Sequence, residues 1–497
     1  MLEWGSMLIN FGYAVFGVSV GIIFGAIPGL TASMAIIVFL PFTYAHDMTT
    51  SLYLLLGLYV GGVSGGLVPA ILINIPGTPA SIATVFDGYP MALKGEGSRA
   101  LKIGIISSFF GGMFSLLILF LFTPQLSIIA IKFSAVEKFL LIFFALTTIA
   151  ALSKGTMLQG IFAGFLGVFT ALIGVFNDNF QMRLVPDFLK SDLRYGFSLF
   201  PVIIGLFAIS QFFEEAEKGM RTNTEKKDIN LDLVKFSLKD FKDQIINLIR
   251  SSSIGTFFGI LPGVGASAAS IFSYSQAKSW SKQPKKFGTG AIEGLVASET
   301  ANNAVTGGAL VPLLSIGIPG DANAAILLGA FMLHGISVGP LFIRQNPDIW
   351  NSILLSMLLN NVIMLFLMFY LIKYISKVIF IPKSRFYPII ILMCIIGSYS
   401  INYGVTFDMW TMLIFGFVGY LFNKFGFSLA SYLVGFILGR DFEQYFINAL
   451  KGSGGRLSVF FVGRPIALVI WALIAISIFY SIYENQRDKK NDQKVKG

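Results

Sequence analysis

The sequence predicts an all-α polytopic membrane protein made of two homologous, inverted repeats, with helices broken at Pro-Gly steps or folded as re-entrant hairpins around a mid-membrane site. Three observations predict it. Hydrophobic residues make up 55% of the 497 and charged residues only 12%. Apolar runs recur from residue 8 to residue 482, and two blocks of glycine and proline return at the same offsets in both halves.

The first observation sets the class. A water-soluble domain has nowhere to bury so many apolar runs, whereas a membrane helix needs about 20 such residues. Candidate spans are 101–122, 139–152 reaching back to Phe133, 156–176, 197–213, 350–375, 405–422 and 459–482. The opening segment, Met1 to Ala26, has neither a basic start nor a small-residue cleavage pattern, so it reads as a resident helix rather than a removable signal.

Charge sets orientation. The net charge of +10 comes from 36 Lys and Arg against 26 Asp and Glu. The cations gather in connections, which favours the positive-inside rule over nucleic-acid binding. Lys278, Lys282, Lys285 and Lys286, then Lys373, Lys377, Lys383 and Arg385, then Arg487, Lys489, Lys490, Lys494 and Lys496 are all expected on the cytoplasmic side. The organisation that follows is a first membrane repeat over 1–213, a charged cytoplasmic connector over 214–250, a second repeat over 251–483 and a basic tail over 484–497. The connector carries eight basic and eight acidic residues and is expected to be a solvated loop with an amphipathic helix around Leu231–Ile249. Met1–Ser6 has one acid and no base, which predicts an outside N-terminus and an odd number of crossings before the connector. The repeats would then be inverted. The lone cysteine, Cys394, sits in an apolar run and cannot form an intrachain disulfide.

The repeated blocks carry the functional reading. Gly21-x3-Gly25-x2-Pro28-Gly29-x2-Ala32 is matched by Gly255-x3-Gly259-x2-Pro262-Gly263-x2-Ala266. Gly65-x-Leu67-Val68-Pro69 to Ile75-Pro76-Gly77 is matched by Gly308-x-Leu310-Val311-Pro312 to Ile318-Pro319-Gly320. Chance likeness of apolar runs does not place prolines and glycines at common offsets, so duplication is the better account. Taken alone, the Gly-x3-Gly pairs read as close helix packing. A Pro-Gly step in an apolar run, however, ends a helix. In lipid such a break is tolerated only where protein or water satisfies the freed backbone, and paired breaks in two halves point to a transporter's binding site.

Helix N-termini exposed at these breaks attract anions. The residues expected to hold substrate are Gly29, Thr31, Ser33, Asn74, Pro76, Gly77, Thr78, Ser81, Gly263, Gly265, Ser267, Asn302, Asn303, Gly320 and Asn323, with Ser270 a further hydroxyl. Hydroxyls bind without a fixed charge that would trap the ligand. Glu299, Asn302, Thr306 and Asp321 offer the oxygens a coupling cation such as Na+ prefers, and their carboxylates could instead take up H+. Asp321 also fits a solvated interfacial position.

An enzyme is disfavoured. Only His46 and His334 are present, no HExxH or Cys-His cluster occurs, and no phosphate-binding Gly-x4-Gly-Lys-Ser/Thr loop exists. No cofactor is expected. A passive anion channel remains an alternative, since helix starts and hydroxyls line pores too.

The segments GAIPGLTASMAIIVFLPFTY (25–44), AILINIPGTPASIATVFDGYPMA (70–92) and the stretch from Phe287 to Pro340 closely resemble the large membrane subunit of the tripartite tricarboxylate transporters, the TctA-type family. The resemblance covers nearly the whole chain. It implies a secondary transporter of the bacterial inner membrane that imports small carboxylates by symport with sodium or protons. Its implied partners are a small membrane subunit, a periplasmic substrate-binding protein and membrane lipid. The family's Pro-Gly loops fall on the four breaks and its Glu-x2-Asn-Asn stretch on Glu299 to Asn303. The chain departs from the family's common pattern at Ser64, where tyrosine is frequent, and at Asp321, where some members have a small residue. An acid near the pocket disfavours a highly charged anion such as citrate unless it binds a cation or a proton, so dicarboxylates and monocarboxylates stay open. Alternating access of an elevator type fits this architecture.

Overall fold

The computed structural model describes residues 2–151, 157–175, 182–219, 236–401, 404–461 and 463–479. Helices dominate them, and the one sheet among the described residues is the two-residue ladder Gly174–Val175 with Met182–Arg183. The first half runs α1 (Leu2–Ala26), α2 (Ala32–Thr43), α3 (Met48–Gly65), α4 (Leu67–Ile73), α5 (Ile82–Leu93), α6 (Gly97–Ala130), α7 (Ala135–Ala151) and α8 (Met157–Ala171). It closes with α9 (Leu199–Ile204) and α10 (Ser210–Glu217), joined by a single π turn into one crossing. The second half runs α11 (Ile245–Ile260), α12 (Gly265–Trp280), α13 (Ile292–Ile316), α14 (Ala322–Leu333), α15 (Phe342–Gln345), α16 (Pro347–Val378), α17 (Lys383–Ile401), α18 (Thr406–Phe425) and α19 (Leu429–Gly452). A last helix, α20, covers Pro465–Phe479.

Each Pro-Gly step ends a helix. Gly29 and Gly263, with φ of 94° and 80°, take the left-handed backbone that separates α1 from α2 and α11 from α12. Downstream, Asn74 (φ 61°) caps α4 and Gly317 (φ 76°) caps α13, at equivalent places in the two halves. The hydrogen bonds recur as well. Ile75 N–H donates to Pro69 O and Ile318 N–H to Pro312 O, both at 3.4 Å, while Gly77 and Gly320 donate back to Gly66 and Ala309.

In lipid, helices associate by close packing and hydrogen bonding rather than by leaving water. The glycine pairs serve that purpose here. A Cβ on Gly21 or Gly25 would meet Leu58 O or Gly62 O of α3 at 2.6 and 2.2 Å, and one on Gly255 would meet Ala301 O of α13 at 2.2 Å. So the Gly-x3-Gly pairs do pack helices, and the Pro-Gly steps beyond them do the breaking. The break loops are equally tight, since a Cβ on Gly320 would lie 2.1 Å from Gly259 O and 2.7 Å from the Ala309 Cα. Backbone cannot retreat as a side chain can. Gly320→Ala is therefore expected to destabilise the protein by about 1–3 kcal/mol, read as a lowered midpoint of thermal unfolding in detergent. An unchanged midpoint would show that α11 and α14 slide apart freely.

Two groups of helices result. α1, α3, α6, α11, α13 and α16 pack into one, with α3 against α1 and α16, and α13 against α11 and α6. The other joins α7 and α8 to α19, and α9 to α18. Between the groups, α2 lies on α17 and α14 on α19.

The hairpins point in opposite directions. The Asn10 and Tyr13 side chains of α1 bond Thr50 and His46, and Thr43 at the end of α2 meets His334 at the end of α14. At the opposite pole, Asp87 on α5 accepts from the N–H groups of Gly288, Gly290 and Ala291, between α12 and α13, and Lys94 donates to Thr289 O. Arg99 at the start of α6 holds Asp240, just ahead of α11, at 2.7 Å.

Three expectations need revision. The connector was expected to hold a helix around Leu231–Ile249, but residues 220–235 lie outside the described set and the described part opens with a single turn, Leu238–Phe241, before α11 begins at Ile245. Ser237 caps that turn, and the Arg99 guanidinium draws in the Asp240 carboxylate and holds it below its ordinary pKa. The residues Glu214–Glu217, assigned to the connector, extend α10 instead. Lys383, grouped with solvated orienting charges, is largely buried in an ion pair with Glu215 at 2.8 Å. The basic tail over 484–497 lies outside the described residues.

Candidate functional site

The breaks pair within each half. Gly77 packs on Gly25 O, and Gly263 N–H donates to Gly320 O at 2.7 Å. A side-chain bridge then joins the halves, where Ser33 on α2 donates to Asn323 Oδ1 on α14 at 2.6 Å. Around it, Asp321 Oδ2 accepts from Tyr59 OH at 2.7 Å and from Asn323 Nδ2 at 3.2 Å, while Asp321 Oδ1 caps α14 through Ala324 N–H at 2.7 Å. Asp321 is 9% exposed, so the interfacial, solvated position also read from the sequence is not the one it takes.

The four helix starts at the breaks are not equivalent. Thr31 caps α2 by accepting from Met34 N–H at 3.1 Å, and Asp321 caps α14. By contrast, α12 follows Val264 with no side-chain cap, and neither Thr78 nor Ser81 caps the short turn Pro79–Ser81 that leads into α5. The Thr78 and Ser81 hydroxyls bond one another at 3.3 Å, and Ser270 donates to Ser267 O at 3.0 Å. Because α12 packs against that turn and against α5, two uncapped N-termini lie side by side. Their free N–H groups and the half-buried Gly265 and Ser267 form a donor-rich surface, bordered in the first turn of α5 by Thr84, which donates to the Glu299 carboxylate. Asn74 is exposed at its edge and Pro76 half-buried, whereas Gly320, whose carbonyl accepts from Gly263 N–H just ahead of α12, is buried.

A third cluster surrounds Glu299, which is fully buried on α13. Thr84 of α5 donates to Glu299 Oε1, and Ser108 of α6 donates to Oε2 at 3.1 Å. Ser64 donates to Asn303 Oδ1 at 2.6 Å, Asn303 Nδ2 donates to Glu299 O, and Thr306 donates to Asn303 O. Asn302 is fully buried; its amide borders the Glu299 carboxylate, yet neither its Oδ1 nor its Nδ2 makes a hydrogen bond of normal geometry among the described residues. An unpaired buried amide is expensive and marks a place where a ligand or water belongs. Of the four residues grouped as cation ligands, Asp321 lies in one hydrogen-bond cluster and Glu299 with Thr306 in the other, with Asn302 beside Glu299.

Sequence reasoning missed several of these partners. Tyr59, Thr84 and Ser108 are hydroxyls within apolar runs, a pattern too common to single out. Asp87 carried a clearer signal, as a carboxylate in an otherwise apolar segment. Glu215 and Lys383 escaped because each sits at the end of a hydrophobic run, where a solvated charge is the ordinary reading. His46 bonds Tyr13 OH at 2.7 Å, and Cys394 is a free, buried thiol. Among the described residues no group of three His, Cys, Asp or Glu side chains is arranged to hold a metal ion.

Comparison with known proteins agrees with this architecture. Residues 11–434 match the family described as the tripartite tricarboxylate transporter TctA family. An uncharacterized 52.8 kDa protein in the TAR-I ttuC' 3' region of Agrobacterium vitis is 34% identical over 484 residues, 97% of this chain and 95% of that protein. An uncharacterized protein in the TAR-II ttuC' 3' region of the same organism is 37% identical over 237 residues, 48% of this chain and 97% of its own. No solved structure matches. With a family match over most of its length, apolar helices long enough to span a bilayer and Pro-Gly breaks in both halves, this multi-pass membrane protein belongs to the tripartite tricarboxylate transporter TctA family, a family of transporters rather than enzymes.

Proposed function

We propose that this chain is the large membrane subunit of a binding-protein-dependent secondary transporter, importing a small carboxylate across a bacterial inner membrane with a coupling Na+ or H+. A small membrane subunit and a periplasmic binding protein complete the system. The observation that carries this reading is the unequal capping of the four helix starts. The uncapped starts of α5 and α12 present backbone N–H groups with Thr78, Ser81, Gly265 and Ser267, which suits a carboxylate. The starts of α2 and α14 are already occupied by Thr31 and Asp321, and the acid there, with Asn323 and Ser33, suits a cation or proton instead. Substrate and coupling ion would then bind to different but adjoining pairs of half-helices, joined where Gly263 N–H donates to Gly320 O.

The opposed hairpins support inverted repeats, and the two helix groups, meeting through α2 and α14, support alternating access in which the group bearing the breaks moves against the other. An elevator-like stroke is the simplest such movement. A passive channel is less well supported, because the buried, internally bonded Asp321 and Glu299 do not line an open path.

The test is uptake of labelled citrate, dicarboxylates and monocarboxylates into proteoliposomes holding this chain with its two partner proteins, under an imposed sodium or proton gradient. Gradient-dependent accumulation establishes a coupled carrier, and flux without accumulation returns the channel. In the same assay Asn302→Ala is expected to cost only about 1–2 kcal/mol of stability, since its amide borders Glu299 without a hydrogen bond of normal geometry, while lowering uptake at least about tenfold if the amide serves a ligand. Uptake equal to that of the unmodified chain would remove Asn302 from the site.

A further inference from the structure

We propose that two neighbouring cavities that share Lys138 in their walls hold one diacyl phospholipid with a phosphoethanolamine headgroup. The larger cavity, about 450 Å³, lies between α7, α19 and the segment that runs from the end of α13 through α14. Its walls are chiefly apolar, with Leu141 and Ile142 on one side, Ile437 and Leu438 on another, and Ile318 and Met332 on the third. The smaller, about 260 Å³, is walled by Ala130, Ile131, Val338, Leu341 and Phe342. Lys138, Ser337, Val338 and Pro340 line both cavities, so the two spaces adjoin, with Lys138 and Ser337 as the polar side chains of the wall between them. A ligand with two hydrocarbon chains leaving one polar head has that shape.

The chemistry at the junction selects the head. Lys138 lies in the first turn of α7, a few residues after α6 ends, with an apolar stem that can run along the cavity wall while its ammonium takes the polar head. Its ammonium sits 5.5 Å over the Tyr445 ring, which steadies it within the larger cavity. Asp441 lines the same cavity, near enough to be attracted by Lys138, yet among the described residues no ion pair of 4 Å or less closes between them. A cation and an anion facing one space without closing on each other match a zwitterion, with phosphate on Lys138 and a primary amine on Asp441. A phosphatidylglycerol head would place the same phosphate on Lys138 but only a neutral glycerol before Asp441, offering it no cation. A choline head carries the charge but has no N–H to donate. Bound there, the lipid would wedge α7 and α19 against the segment carrying the Pro319-Gly320 break.

Native mass spectrometry of the detergent-solubilised full chain, titrated with dioleoyl phosphatidylethanolamine, phosphatidylglycerol or phosphatidylcholine, tests the assignment. Phosphatidylethanolamine is expected to bind about tenfold more tightly than either. Lys138→Gln should weaken it about fivefold, and Asp441→Asn should abolish its advantage over phosphatidylglycerol. Both residues are at least partly exposed, so neither variant should disturb folding, which an unchanged unfolding midpoint would confirm. Glycerophosphoethanolamine, the same head without chains, should not bind at these concentrations. Equal affinities for the three lipids, insensitivity to both substitutions, or tight binding of the chainless head would each overturn the proposal.

Discussion

Lys383→Met is expected to destabilise the protein by about 3–5 kcal/mol, because it strands the Glu215 carboxylate in a buried site without its cation. The pair spans 2.8 Å between α10 and α17, and the two side chains are only 7% and 14% exposed. A Cβ on Gly29 would stand 2.8 Å from both Glu215 Oε1 and Lys383 Nζ, so the pair also forms the wall against which the first Pro-Gly break rests. Thermal unfolding in detergent measures the loss. The double variant Glu215→Gln with Lys383→Met should recover most of it, since replacing both charges removes the unpaired ion along with the pair. If the double variant is no better than the single one, the carboxylate has reached water and the pair is not the anchor argued here.

Asp321→Ala is expected to have the largest effect on transport, abolishing gradient-driven accumulation while partly folded protein is retained. The carboxylate accepts three hydrogen bonds, from Tyr59 OH, Asn323 Nδ2 and Ala324 N–H, and so joins α3 to the start of α14. Losing the cap alone destabilises α14 by about 1 kcal/mol, and the buried Tyr59 hydroxyl left without its acceptor adds about 1–3 kcal/mol. Asp321→Asn separates structure from coupling. The amide oxygen can still cap the helix, but the group can neither carry a negative charge nor take up a proton. Its expected phenotype is near-normal stability and substrate exchange with no accumulation under either gradient. Full accumulation by Asp321→Asn would move the coupling role to the Glu299 cluster.

Much of the architecture was legible in the sequence for a plain reason. Long apolar runs have few fates in a bilayer, and proline and glycine interrupt helices wherever they stand. The span read as 350–375 became α16, Pro347–Val378, and 405–422 became α18, Thr406–Phe425. Extra length at the ends came from residues whose polarity hides a helical terminus. Of the helix expected around Leu231–Ile249, residues 231–235 lie outside the described set and Ile245–Ile249 open α11, while between them Arg99 recruits Asp240 into a capped turn, a tertiary competitor that amphipathic spacing does not reveal.

The candidate site was legible in location and not in grouping. Hydroxyl and amide residues near the Pro-Gly steps could be named from the sequence, but not which of them would already be engaged. Ser33 meets Asn323 across 290 positions of sequence and Tyr59 meets Asp321 across 262, partnerships that no local pattern encodes. The sequence by itself determined that the chain is helical and membrane-embedded, where its helices break, and that its halves share a pattern, because these follow from solvent and backbone sterics acting residue by residue. Only the tertiary structure decided that α2 and α14 start with occupied caps while α5 and α12 start bare, that Glu215 and Lys383 are buried together, and that two cavities share Lys138 in their walls. Those outcomes depend on which distant helices pack side by side, and close packing in lipid is settled by the whole surface of each helix rather than by any one residue along it.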